Sequence, residues 1–251
     1  MSPLENADVE VNLTTSVGVV EQAARQAAAA GLCVVPPAQD GTKRPLPSAC
    51  GRWERFKTTR PDESELCSWY PGRTGLGVVI GPVSERTECW DFDDRPVYEA
   101  FVATARECGL GAVLDRIEHG YCDDTPGGGV RWLVQYPPEV ERGAGGRVVL
   151  ARRPKRPEER QNERDTTKIL IELPSYAILA PSSGRVHPSG KPYVRRTGAF
   201  SSIAKYTVVE RNSLIELAHA FDARPRNEAP RKTRAQGCDT RPGDAFNVAT
   251  T

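Results

Sequence analysis

The sequence predicts an α+β fold, and three observations carry the prediction. Short apolar runs bounded by Gly and Pro recur at 75–81, 87–93, 130–135, 168–172 and 176–180, with the length and punctuation of strands. Longer helical segments stand at 16–30, 96–108 and 211–221. The two kinds of segment are mixed along the chain without strict alternation, which indicates α+β. At 251 residues the chain has room for one large domain or two small ones around a cleft.

Residues 1–14 read as a loose leader. From Ser16 to Ala30 the chain is Ala-rich and predicts a helix that Gly31 stops. Leu32 to Val35 reads as a short strand ended by Pro36-Pro37, and residues 38–58 as a loop. Pro61-Asp62-Glu63 opens a helix carrying Leu66 and Trp69, with acids in its first turn. Strands are predicted at Gly75 to Gly81 and Thr87 to Asp93, with the turn Pro82 to Arg86 between them. A helix from Pro96 to Cys108 follows, then a second apolar helix to Ile117. Val130 to Gln135, Arg147 to Ala151, Lys168 to Glu172 and Tyr176 to Ala180 read as further strands. The almost wholly polar stretch 152–167 predicts a mobile insertion. An amphipathic helix over Arg211 to Phe221 closes the predicted domain, 15–222. Beyond it, residues 223–251 carry Arg224, Arg226, Arg231, Lys232, Arg234 and Arg241 among Pro and Gly, and read as a basic linker or tail.

Composition narrows the function classes. Thirty-four Lys+Arg against 33 Asp+Glu give a net charge of +1, which excludes a histone-like polycation or an acidic tail protein. A local basic groove is compatible with that total. No apolar run approaches the roughly 18–20 residues of a membrane span, so no membrane partner is expected. Met1 to Thr15 carries Glu5, Asp8 and Glu10 without a basic residue, unlike a secretory signal. The seven Cys are irregularly spaced, several within apolar runs such as Leu32-Cys33-Val34-Val35, and are expected to be reduced core residues of a cytoplasmic protein. They lack Cys-x-x-Cys spacing, so no structural zinc is expected.

The sharpest local feature is Cys89-Trp90-Asp91-Phe92-Asp93-Asp94. On a strand, Asp91 and Asp93 share one face while Trp90 and Phe92 share the other. Two acids at that spacing are costly to desolvate without a cation between them, which points to Mg²⁺ or Mn²⁺. The competing reading is a strand running out into solvent, with Asp93-Asp94 capping the next helix. Glu172 ends the apolar run Ile169-Leu170-Ile171, either as a solvated strand end or as a third metal-holding acid. Gly127-Gly128-Gly129 leads into Val130-Arg131, a flexible turn or a place for backbone N–H groups to approach an anion. Arg131 is suited to phosphate. Ser182, His187 and Lys191 stand in a loop dense in donors, which departs from a Walker A loop. Lys43-Arg44 are surface charges by default. No Gly-x-Ser-x-Gly nucleophile motif is present.

In this order, the segments resemble the bifunctional DNA primase/polymerase (prim-pol) N-terminal domain of the archaeo-eukaryotic primase superfamily. The run begins at Ala30-Gly31-Leu32-Cys33-Val34-Val35-Pro36 and Gly41-Thr42-Lys43-Arg44-Pro45-Leu46, with Trp53. It continues through Gly77 to Gly81, Asp91-Phe92-Asp93, Gly120-Tyr121 and Thr125 to Gly129. Tyr176 to Ser182, His187-Pro188-Ser189-Gly190 and the helix Leu214 to Asp222 close it. The resemblance implies a two-part α+β domain, its catalytic part built like an RNA-recognition-motif sheet, with the active site in the cleft between the parts.

It further implies template-directed nucleotidyl transfer in the replication of a phage, plasmid or mobile element. Asp91, Asp93 and Glu172 would be the catalytic and metal-binding acids of a two-metal Mg²⁺ or Mn²⁺ site. Arg131, Gly128, Gly129, Ser182, His187 and Lys191 would bind the nucleotide, and Lys43 and Arg44 the template. The expected partners are single-stranded DNA, a primer and nucleoside triphosphates. Arg241 to Asn247 resembles the stretch that follows this domain in longer phage and plasmid replication proteins, so a C-terminal helicase module is a further expected partner. Arg131 stands where the family has a phosphate-contacting His, and Leu173-Pro174-Ser175 is shorter than the usual Arg- and Gly-rich stretch. Those departures keep open a catalytically weak template-binding scaffold of a helicase-primase, and the same carboxylates would also serve a metal-dependent nuclease.

Overall fold

The computed structural model describes residues 13–46, 53–142 and 146–224, with residues 13–17 described as backbone only. Its architecture is mixed helix and sheet, as expected: among the described residues, five α-helices accompany two sheets that are antiparallel apart from one short strand. Helix α1 (Leu13–Ala29) begins earlier than the sequence suggested, taking in two residues of the expected leader; residues 1–12 and 225–251, and with them most of the expected leader and tail, lie outside the described residues. Gly31 ends α1 at φ +83°, and a Cβ there would meet the Glu85 side chain at 2.5 Å, so only glycine fits the turn. The chain then enters β1 (Cys33–Val34), which pairs antiparallel with β2 (Leu76–Val79). Between them lies α2 (Glu63–Trp69), started by a reciprocal Asp62–Glu65 capping box. β2 also pairs with β8 (Tyr176–Leu179), completing the small sheet β1-β2-β8.

The large sheet has the order β6-β7-β3-β5-β4-β9. Its strands are β3 (Thr87–Phe92), β4 (Tyr121–Asp124), β5 (Val130–Gln135), β6 (Val148–Pro154), β7 (Thr167–Leu173) and β9 (Val194–Thr197). The short β10 (Ala204–Lys205) runs parallel to β5. On one face Trp90, Phe92, Trp132 and Ile171 pack against α3 (Arg95–Glu107), α4 (Gly111–His119) and α5 (Val208–Ala220). The Phe92 ring lies 4.8 Å from Trp132 and 5.1 Å from Phe101, centroid to centroid. Each ring buried this fully contributes about 2–3 kcal/mol. On the other face Cys89, Tyr121 and Leu133 join the core formed by α1 and the small sheet. β3 therefore has an apolar partner layer on both sides, except where Asp91 stands.

On the helix face of β3, Glu88 is fully buried. Arg211 of α5 donates to both its oxygens, at 2.9 and 2.7 Å, Arg142 approaches at 3.2 Å, and the Tyr206 hydroxyl donates to it. This network ties α5 and the segment after β5 to the central strand.

The expected mobile insertion at 152–167 is instead the paired end of the β6–β7 hairpin. The Lys155 N–H donates to the Thr166 carbonyl at 2.8 Å, Arg153 clasps Glu159 at 2.5 and 2.6 Å, and Lys155 clasps Asp165 at 2.6 and 2.7 Å. The polarity seen in the sequence is real, but its charges are complementary across the hairpin. Three of the described Cys are buried (Cys33, Cys89, Cys122), while Cys67 and Cys108 are exposed rather than in the core.

Candidate active site

Sheet register assembles the site. Asp91 on β3 stands opposite Arg131 on β5 and Glu172 on β7, and Arg131 stands opposite Asp123 on β4. Residues paired across strands project to the same side, so Glu172, Asp91, Arg131 and Asp123 form one row across four strands. Asp93 follows at the end of β3 on the same side as Asp91. Asp94, not Asp93, caps α3, accepting from the Val97 N–H at 3.1 Å. The helix-capping reading therefore holds for Asp94 alone.

Glu172, Asp91 and Arg131 of this row, with Asp93, line a cleft of about 320 Å³ whose lining also includes Lys43, Arg147, Ile178 and Tyr193, while Asp123 lies buried behind Arg131. Lys43 is held there by a closed turn. The Ala38 N–H donates to the Arg44 carbonyl at 2.8 Å, and the Gly41 N–H docks on the Arg185 carbonyl at 2.6 Å. Lys43 itself takes φ +60°, a strained conformation for a residue with a side chain. Lost hydration and the charge of Arg131 push its pKa down, against the pull of Asp91, Asp93 and Glu172.

Two arginines meet the acids. Arg131 Nε lies 3.1 Å from Asp91 Oδ2, with both side chains largely buried, and the guanidinium also donates to the Ile178 carbonyl and lies 5.2 Å from the Tyr193 ring centre. Arg147 donates from Nε to Glu172 Oε2 at 2.5 Å. Burial, with the charges of Asp91 and Glu172, raises the Asp93 pKa to about 6, against Lys168 and Lys43. Burial raises that of Glu172 as well, with Arg147 opposing. Among the described residues no three acidic, imidazole or thiol side chains form a finished metal shell. Asp91 and Glu172 are instead turned to guanidinium groups.

The other expected ligands fall at different distances from this cleft. Gly129 is outside the cleft lining and packs on the end of β3: a Cβ would meet the Phe92 carbonyl oxygen at 2.1 Å, so its role is close approach of the β4–β5 turn to the backbone at Asp93. Gly128 occupies that turn at φ +89°. Ser182 is buried, and its hydroxyl donates to the Leu179 carbonyl at 2.6 Å while accepting from the Leu76 N–H at 2.7 Å; it holds β8 to β2 rather than facing the cleft. His187 stands at the rim, its ring 6.1 Å from that of Tyr193, and burial, Lys43 and Arg131 all lower its pKa. Lys191 and Arg44 are exposed and outside the cleft lining.

Sequence reasoning missed Arg147 and Tyr193 as cleft residues, and Asp123 as the buried acid behind Arg131. Asp123 is fully buried, accepting from the Ala180 N–H at 3.0 Å and the Tyr121 hydroxyl at 3.2 Å. Tyr121-Cys122-Asp123 offers a single acid on the same face as Tyr121, without the paired-acid signal that flagged Asp91. Burial raises the Asp123 pKa from 3.8 to about 6, although Arg131 and both donors oppose the shift. The folded state therefore keeps a proton that the unfolded chain has released between those values, and stability falls as pH rises from about 4 to about 6. The swing is about 3 kcal/mol. In urea titrations, the unfolding free energy of wild type minus that of Asp123→Asn is expected to fall by that amount across this window; a flat difference would remove the shift.

No helix among the described residues is long and apolar enough to cross a membrane. Compared with family models and with curated proteins, the chain matches none.

Proposed function

We propose that this chain is a prim-pol-type nucleotidyltransferase that extends a primer on a DNA template with a divalent metal. The observation that carries the reading is the cleft itself: it gathers Asp91, Asp93 and Glu172, from two distant segments, beside Lys43 and Arg131. A small sheet facing one side of a large sheet, with the cleft between, agrees with the two-part domain that the sequence resemblance implies.

The donor set fits a hard cation. All three acids offer carboxylate oxygen, and at Asp93 lost hydration, with the charges of Asp91 and Glu172, disfavours the bare anion that a cation would neutralise. Asp91, Asp93 and Glu172 would hold Mg²⁺ or Mn²⁺, which supplies activation of the primer hydroxyl and charge neutralisation at the transferring phosphoryl group. Arg131, buried and fixed on three sides, offers its charge to the triphosphate from a constant position, where the family's His would be shorter and able to lose its proton. Lys43 brings a second cation on a rigid turn. Ile178 and Tyr193 form an apolar wall that excludes water beside the phosphates. Arg44, adjacent to Lys43 and exposed, is placed to follow a template backbone.

The guanidinium contacts at Asp91 and Glu172 favour the second reading, a template-binding scaffold with weak chemistry. Primer extension decides between them. A labelled primer on a DNA template is given Mg²⁺ or Mn²⁺, with dNTPs and NTPs supplied separately, and wild type is compared with the Asp91→Asn/Asp93→Asn double variant. Extension by wild type alone is expected. Template binding without extension by either protein would establish the scaffold. Equal extension by both would remove the acids from the chemistry, and primer shortening without triphosphates would indicate a nuclease.

A further inference from the structure

The two arginines at the acids are not equivalent. Arg131 is buried and held by Asp91, the Ile178 carbonyl and the Tyr193 ring. The Arg147 side chain is 54 % exposed, whereas its partner Glu172 is only 14 % exposed. Both Nε and Nη2 of Arg147 lie 2.5 Å from the same oxygen, Glu172 Oε2. Among the described residues, Glu172 is the hydrogen-bond partner of that guanidinium. Its backbone is restrained independently: Arg142 donates to the carbonyls of Gly146, Leu173 and Pro174 at 3.3, 3.1 and 3.4 Å, joining the segment before β6 to the end of β7. Arg147 can therefore swing its side chain into water without moving the strand that carries Glu172.

Resting on the metal-site reading above, we infer that Arg147 is a built-in competitor for the divalent cation. Its fork occupies Oε2 of Glu172, so the cation takes both oxygens of that carboxylate only by displacing it. A half-exposed guanidinium loses little on returning to water, so the exchange is reversible and lowers metal affinity by a modest factor. Arg131 does not yield in this way, because leaving Asp91 would strand a buried charge.

The test is Mn²⁺ binding to the apo protein, followed by calorimetry and by the electron paramagnetic resonance of free Mn²⁺. Arg147→Gln removes the fork at an exposed position and is expected to bind Mn²⁺ about three- to tenfold more tightly than wild type. Glu172→Gln and the Arg147→Gln/Glu172→Gln double variant are expected to match each other, because the competitor has nothing left to cover. Affinity in Arg147→Gln equal to or weaker than wild type overturns the inference. A gain that persists in the Glu172→Gln background also overturns it, since the effect would then be long-range charge rather than occupancy. If wild type binds Mn²⁺ and Asp91→Asn/Asp93→Asn does not, the metal-site reading stands whichever way Arg147 falls. If neither wild type nor Arg147→Gln binds Mn²⁺, both the inference and the metal-site reading are overturned.

Discussion

Asp93→Asn is expected to abolish primer extension while raising the melting temperature. The carboxyl is held in the cleft next to Asp91 and Glu172, and burial with that repulsion lifts its pKa to about 6. Near neutral pH the folded protein therefore carries a charge it would be more stable without. Asp93 stands at an exposed strand end, so solvent screens part of the cost, and a gain of about 2–4 °C is expected. Loss of one metal-holding oxygen is expected to cost about 10²–10³-fold in extension rate. Asp91→Asn should lose activity equally but lower stability, because it leaves the buried Arg131 guanidinium without its counter-charge. Opposite stability changes with the same loss of activity mark the two acids as one site with unequal local balance. A fall in melting temperature for Asp93→Asn, or retained extension, would refute this account. The same carboxyl sets an acid limb: extension by wild type should decline below about pH 6 as Asp93 takes up a proton. That midpoint should move lower as Mn²⁺ is raised, since cation and proton compete for one oxygen.

The largest effect on stability is expected at Glu88, away from the cleft. Its two oxygens meet Arg211 at 2.7 and 2.9 Å and Arg142 at 3.2 Å, with Glu88 itself fully buried. Glu88→Ala leaves Arg211 and Arg142, whose side chains are only 14 % and 7 % exposed, without their counter-charge, although Arg142 keeps its backbone carbonyl acceptors. Removing one member of such a buried set costs about 3–5 kcal/mol. Urea unfolding measures it directly, and a loss below about 1 kcal/mol would mean that the network contributes little. Glu88→Gln keeps the shape and the Tyr206 contact and should fall between the two.

Much of this architecture was legible from local pattern. The apolar runs at β2, β3, β5, β7 and β8 and the helices α1, α3 and α5 follow from periodicity, and the two-residue spacing of Asp91 and Asp93 placed them on one face. β4 and β9 were not legible. Tyr121–Asp124 is four residues ending in two acids, and Val194–Thr197 is mostly exposed with two arginines, so neither has a strand's apolar signature. Their pairing is decided by neighbours distant in the chain. For the same reason the row from Glu172 to Asp123 could not be read, because it depends on register across four strands. Ser182 misled in the opposite direction: its loop is rich in donors, but the hydroxyl is consumed by Leu76 and Leu179. The β6–β7 hairpin looked mobile because polarity is visible in a sequence, whereas the pairing of Arg153 with Glu159 and Lys155 with Asp165 is visible only in space.

β3 has a divided allegiance that bears on how such a protein changes over time. Glu88, Trp90 and Phe92 answer to the helices, whereas Asp91 answers to the cleft, although the two sets alternate along the same six residues. A substitution at Asp91, Arg131 or Glu172 therefore alters the charge lining the cleft, while the aromatic layer behind them keeps the strand where it is. The charge of the cleft can change while the architecture stays the same.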